Sequence, residues 1–197
     1  MEVDESNPIG DKRTGLDAGG IADSEWNELI ANLELTIPVY DRVNKIVTLG
    51  QDCRWRKHIR KHIGRGEKVL EVGCGPGTFA EDIVGVDLTC LDPSAAMLAV
   101  AKERVDAARE KRSESPASYI EATAEEIPLP DDTFDRVCCL FSFRDFRDKK
   151  QGLSEIYRVL KPGGKLLICD AGKSNPIHGM LGRIWMGSVV QLVARFV

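Results

Sequence analysis

Residues Val69–Thr78, VLEVGCGPGT, decide how this chain is read. A short apolar run, Val69, Leu70 and Val72, carries one acid, Glu71. It breaks into a loop where Gly73, Gly75 and Gly77 alternate with Cys74 and Pro76. Glycine reaches positive φ freely and leaves no Cβ between the backbone and whatever lies on it. A buried parallel strand ending in such a loop, with a helix behind it, is a seat for a nucleotide-like ligand. The spacing is G-x-G-x-G and not the G-x-G-x-x-G of a dinucleotide fingerprint, and the loop alone does not choose the nucleotide.

Outward from this loop the chain alternates strand and helix, the pattern of an α/β fold with a parallel sheet and flanking helices. Strands are expected at 68–72, 87–91 (closed by Asp92), 118–120, 136–141 and 165–169. The unbroken apolar run of the fourth suits a central strand. A helix is expected at 78–84. A longer one at 93–111 would have Pro93 in its first turn and Met97, Leu98, Ala101 and Val105 on its buried stripe. A third, at 151–160, would bury Leu153, Ile156, Tyr157 and Leu160, before a type II turn at Pro162-Gly163.

Four segments follow from this division. Residues 1–23 are polar, without periodicity, and read as a disordered tail. Residues 24–66 read as helical: one helix capped by Ser24 with Trp26, Leu29, Ile30 and Leu33 on one face, then two more after Pro38. The last of these spaces Trp55, Ile59 and Ile63 four apart and carries Arg54, Arg56, Lys57, Arg60 and Lys61 on its other faces. That basic set is either a solvated face or one drawn to anionic lipid or phosphate. Residues 67–175 form the α/β core, and 176–197 have the spacing of an apolar helix.

Composition narrows the class. The 197 residues suit one domain, and a net charge of −4 gives no general argument for nucleic-acid binding. Six cysteines without a CxxC pair read as reduced thiols of a cytoplasmic protein. No N-terminal apolar segment resembles a signal peptide, and no apolar run reaches the ~18 residues of a membrane span. His58, His62 and His178 have no metal-ligand spacing with nearby carboxylates, so no metal site is expected. Cys138 and Cys139 lie within a strand, where core packing is favoured over a nucleophilic role.

Two features select the ligand. Asp92 lies 17 positions after Gly75, at the end of the second strand, where a carboxylate can accept from two ribose hydroxyls. That role is shared by nicotinamide and S-adenosylmethionine sites. LKPGGKLLI at Leu160–Ile168 together with PDDTFDRV at Pro130–Val137 has no reason to occur in a dehydrogenase. The run Val69–Asp170 resembles the class I S-adenosylmethionine-dependent methyltransferases, which share a Rossmann-like fold. Within that class, residues 38–197 resemble the ubiquinone/menaquinone biosynthesis C-methyltransferases. The closer motifs are YDRVN at Tyr40–Asn44, WRK at Trp55, FSFRDF at Phe141–Phe146 and YRVLKPGGKLLI from Tyr157.

The resemblance implies S-adenosylmethionine as cofactor. Gly73, Cys74, Gly75, Pro76 and Gly77 would pass under its methionine part and sugar. Glu71 would fix the loop and approach the amino group, and Asp92 would take the ribose. Pro93 and Met97 would border the adenine. Thr123-Ala124 stands where the family usually has Asp-Ala or Asn-Ala, with Glu125 beside it to compensate, and Leu140 and Phe141 would line the ligand. Arg144-Asp145 stands where the family has Arg-Asn and would face the substrate. Arg144 would then stabilise a phenolate while Asp145 or Tyr40 handles protons; the alternative is an ordinary surface ion pair. The implied reaction is C-methylation of a polyprenyl benzoquinol or naphthoquinol. A methyltransferase for another small hydrophobic molecule and a catalytically silent cofactor-binding protein are the alternatives. No nucleic-acid partner is expected; a homodimer and peripheral membrane contact are left open. The two antiparallel strands that usually end the family's sheet have no counterpart here, so the fifth strand is expected to be an edge.

Overall fold

The computed structural model describes residues 23–170. The expected C-terminal helix at 176–197, and all of the expected tail but Asp23, lie outside those residues. Five strands form one parallel sheet in the order β3-β2-β1-β4-β5. They are β1 (Lys68–Val72), β2 (Asp87–Asp92), β3 (Ser118–Glu121), β4 (Phe134–Leu140) and β5 (Leu160–Cys169). Residues 69–72 are buried throughout and so are 88–92, because helices cover both faces of a parallel sheet. Alternation divides the core. Val69, Cys90, Cys138 and Leu140 pack on one face with Phe79, Ile83, Ala101 and Val105. Leu70, Val72, Val137 and Cys139 pack on the other with Phe134, Ile156 and Val159. Cys138 and Cys139 are core residues, fully buried.

The helices are α1 (Asp23–Leu35), α2 (Tyr40–Val47), α3 (Gln51–Arg60), α4 (Ala95–Glu110) and α5 (Lys149–Val159). Helix α1 starts one residue before Ser24, which therefore lies inside its first turn. Helix α4 starts at Ala95 with Ser94 as its N-cap, the hydroxyl accepting from the Met97 amide, so Pro93 precedes the cap.

Four expectations are corrected. No α-helix forms over 78–84; a single 3-10 turn, Ala80–Asp82, takes its place. Gly77 and Gly85, at φ 78° and 69°, bracket this stretch, which is too short to repay helix nucleation. On α5 the buried stripe is Gly152, Ile156 and Val159, leaving Tyr157 82% exposed and Leu153 38%. The stripe turns this way because Gly152 packs on Phe146, where a Cβ would meet Cδ2 at 2.7 Å. Strand β5 begins at Leu160 and not at Lys165: Phe134 pairs with Leu160 and Arg136 with Lys165, a register shift that takes in Pro162-Gly163, with Gly163 at φ 80° as position i+2 of a type II turn requires. Finally, the basic set on α3 is broken up, since Arg56 is buried and Arg60 pairs with Asp82 at 2.9 Å.

Candidate functional site

The connections from β1 and β4 leave toward opposite edges of the sheet. Open α/β sheets hold ligands at such a switch point, outside the carboxyl ends of the strands. A cleft of about 200 Å³ lies here, lined from the sheet by Gly73, Gly75, Asp92 and Leu140 and from the helices by Trp26, Ile30, Leu33 and Tyr40. Helix α1 is tied across it at both ends. The Ser94 hydroxyl donates to Glu34 Oε1 at 2.6 Å, and the Arg147 guanidinium lies 5.2 Å from the Trp26 ring centroid.

The three loop glycines all have positive φ but meet different neighbours. A Cβ on Gly73 would fall on the Ser142 side chain. One on Gly75 would meet only the Tyr40 ring, with Oη at 3.6 Å. One on Gly77 would press on Val105 Cγ2 at 2.8 Å and on Ala101. Gly73 and Gly75 therefore belong to the cleft, and Gly77 to the packing of the loop on α4. Cys74 and Pro76 are buried and, like Gly77, do not line the cleft.

Asp92 holds the loop through its backbone. Its Oδ2 accepts from the Gly75 amide at 2.7 Å and its Oδ1 from the Ser94 amide at 3.0 Å. Burial raises its carboxyl above the ordinary value, although both amides favour the charged form. Glu71 sits behind the loop and off the cleft wall, 2% exposed, with Oε2 lacking a hydrogen-bond partner. Burial drives its carboxyl up to about 8 against the pull of the Arg56 guanidinium. Pro93, Met97, Thr123 and Ala124 line the next part of the wall, and the Ala122 amide hooks the end of β3 to the Asp92 carbonyl at 3.2 Å. Arg158 clips the following loop, donating to the carbonyls of Leu129 at 2.7 Å and Ile127 at 2.8 Å. Glu125 lines the cleft, but its Oε1 accepts from the Asp148 amide at 3.0 Å.

At the far end, Phe141 leaves β4 with φ 62°, a strained conformation for an aromatic residue, and donates its amide to the Cys169 carbonyl at 2.7 Å. The Arg144 amide donates to Asp170 Oδ2 at 2.9 Å, and its Nε lies 3.6 Å from Asp145 Oδ2. Arg144 and Asp145 both line the cleft. Burial raises the Asp145 carboxyl, with Arg144 opposing. Burial also raises the Tyr40 phenol, which keeps its proton and suits a donor more than a base. Tyr40 is placed by its neighbour. Asp41 accepts from Thr78 Oγ1 at 2.8 Å and pairs with Arg104 of α4, fixing α2 over the glycine loop.

The profile of the ubiE/COQ5 methyltransferase family matches residues 32–189. The chain belongs to that family. A demethylmenaquinone methyltransferase of Renibacterium salmoninarum is 34% identical over 161 residues, covering 80% of this chain and 63% of the relative. The ubiquinone/menaquinone biosynthesis C-methyltransferase UbiE of Geobacter sulfurreducens is 39% identical, covering 75% of this chain and 59% of the relative. The chain thus spans about three fifths of the length of these curated relatives. Among solved structures, an S-adenosylmethionine-dependent methyltransferase of Thermotoga maritima, titled a possible histamine N-methyltransferase, matches with TM-score 0.55 and 25% identity. It covers 69% of this chain and 58% of that one. The fold is therefore the Rossmann-like fold of class I methyltransferases.

Against this ubiE/COQ5 background, the structure adds cleft residues that sequence reasoning did not assign: Thr36, Val43, Asn44, Ser142 and Phe146. The apolar face of α1 was visible as a periodicity, but nothing local said what it covers. Ser142 had no signal of its own; its hydroxyl donates to the Val72 carbonyl at 2.8 Å and locks β4 to the loop entry. Among the described residues no cluster of three or more metal-ligating side chains occurs, and no helix is long and apolar enough to cross a membrane.

Proposed function

We propose that this ubiE/COQ5 family member is an S-adenosylmethionine-dependent methyltransferase acting on a ring carbon of a hydrophobic quinol. One observation carries the reading. A single cleft joins a glycine loop and a sugar-type carboxylate to an apolar helical face and an Arg-Asp pair. The residues fit the cofactor. Gly73 and Gly75 line the cleft, Gly75 leaves space over the backbone, and Asp92 retains lone pairs beyond its two amide bonds. When bound, S-adenosylmethionine supplies a methyl group already activated on its sulfonium.

The protein's part is then alignment, worth about 7–11 kcal/mol when orientation is good, and exclusion of water. Trp26, Ile30 and Leu33 provide an apolar cover for both tasks. A quinol ring carbon becomes nucleophilic when a neighbouring hydroxyl loses its proton. Asp145, with its carboxyl shifted upward by burial, takes that proton; a positioned base typically contributes about 10²–10⁴-fold. Arg144, its side chain 53% exposed, faces the resulting phenolate, and the Tyr40 hydroxyl donates to the bound ligands. The names of the relatives support a quinol acceptor, and a cytoplasmic enzyme working at a membrane surface fits that substrate.

The test is incubation of the full chain with methyl-labelled S-adenosylmethionine and detergent-dispersed demethylmenaquinol. Label is expected in the extracted quinol. Tight cofactor binding with no transfer to any quinol would sink the proposal and leave a silent binding protein.

A further inference from the structure

The turn between α2 and α3 holds a residue that stability alone would not place there. The Gly50 amide donates to the Lys45 carbonyl at 2.7 Å and the Leu49 amide to the Ile46 carbonyl at 3.1 Å. That bonding is a Schellman motif, with Leu49 at the left-handed position where glycine is usual. Leu49 sits there with φ 53°, an outlier for a bulky residue, and is 65% exposed. Ile46, near the end of α2, is 40% exposed beside it in the sequence.

Cations surround this pair. Arg42 and Lys45 on α2 are exposed, and so are Arg54, Lys57 and Lys61, which recur at i, i+3 and i+7 along α3 and its C-cap. Arg56 and Arg60, buried or paired, are not part of the set. None of the five joins an ion pair among the described residues. The two acids of the same hairpin are already taken, Asp41 by Arg104 and buried Asp52 by Thr48 and Arg56. The result is a positive surface on a chain of net charge −4. On α2, Arg42, Lys45 and Ile46 lie opposite Tyr40, Val43 and Asn44, which line the cleft. One helix width, about 10 Å, separates the surface from the cleft.

Exposed aliphatic side chains among unpaired cations match an anionic bilayer, with hydrocarbon beneath its phosphates. Nucleic acid would engage the cations and leave Leu49 and Ile46 in water. A two-fold contact through the patch would set its cations against their own copies. We propose that the α2–α3 hairpin is a docking surface for anionic lipid bilayers. Leu49 and Ile46 enter the interface while Arg42, Lys45, Arg54 and Lys57 hold lipid phosphates. The proposal deepens the reading of the acceptor as a hydrophobic quinol, a molecule that dissolves in such bilayers.

The test is flotation of the full chain with vesicles of phosphatidylcholine, alone or mixed equally with phosphatidylglycerol. Binding is expected to the mixed vesicles only, and is expected to vanish at about 1 M salt, where the Debye length is about 3 Å. Leu49→Gly suits the positive φ, so it should keep or raise the urea midpoint while weakening binding roughly tenfold. Arg54→Gln together with Lys57→Gln should weaken it about 25-fold, roughly fivefold per cation. No binding to the mixed vesicles, equal binding to both kinds, or binding that Leu49→Gly leaves unchanged overturns the proposal. So does a dimer in solution that Leu49→Gly splits, which would give the surface to a second copy. Because flotation reads no chemistry, vesicle binding without methylation of any quinol would uphold the surface and sink only the proposed function.

Discussion

At the Gly73–Asp92 end of the cleft, contacts are made by backbone amides and buried carboxyls; at the Arg144–Asp145 end, by more exposed side chains on a one-turn 3-10 helix, Phe143–Asp145. The first end is part of the sheet: Asp92 closes β2, Gly73 follows β1, and moving either disturbs the core. The second follows β4, is held to the end of β5 by the Arg144–Asp170 contacts, and lies outside the core. Under the proposed function, donor recognition would be inseparable from the fold, whereas acceptor chemistry would be a detachable choice of side chains.

Substitutions at the loop test that contrast most severely. Gly73→Val should abolish cofactor binding and also lower stability, because the new side chain meets Ser142 at positive φ. Gly75→Val, also at positive φ but with only Tyr40 nearby at 3.6 Å, should abolish binding and lower stability by less than Gly73→Val, keeping a cooperative urea transition. If the two variants unfold at the same urea concentration, the distinction between them is wrong. Asp92→Ala comes next. It removes two charge-assisted bonds and should cost about 100-fold in affinity.

At the other end, Arg144→Ala should leave cofactor affinity within about twofold while turnover falls roughly 100-fold, the scale of acid–base and charge stabilisation. A parallel loss of cofactor affinity would show that the two ends are not separable. Asp145→Asn should remove the acid limb of the pH–rate profile, where activity rises as the carboxyl ionises.

A smaller effect separates Glu71 from the cleft proper. Its carboxyl holds a proton up to about 8 when folded, against an ordinary 4.5. Between those values the folded state carries the extra proton, so this stabilisation is present below about 4.5 and is lost as pH rises through 8. The melting temperature of the unaltered protein should fall relative to Glu71→Gln as pH rises through that window. A constant difference would mean the group is already ionised. Smallest of all, Tyr157→Ser on the exposed face of α5 should change stability by less than about 0.5 kcal/mol.

Much of the fold was legible because burial on both faces leaves a simple trace. Val69–Val72 and Leu88–Leu91 read as strands, and Met97, Leu98, Ala101 and Val105 mark the buried stripe of α4. Misreadings came where a neighbour distant in sequence overrides the local pattern. Leu153 and Tyr157 have helical spacing with Ile156, but Phe146 claims the Gly152 face. Phe79 and Ile83 are core residues without the helix that their apolar pattern suggests.

By itself, the sequence determined the strand–helix alternation of a parallel α/β fold, the glycine loop, the acid that ends β2 and the family, since each depends on local stretches of the chain. Only the tertiary structure decided that Gly73 and Gly75 face the cleft while Gly77 packs on α4, that α1 covers the site, and that Arg56 is buried beside Phe141. Those are outcomes of which elements meet at the β1/β4 switch point. A local charge pattern carries no record of what will exclude water from it.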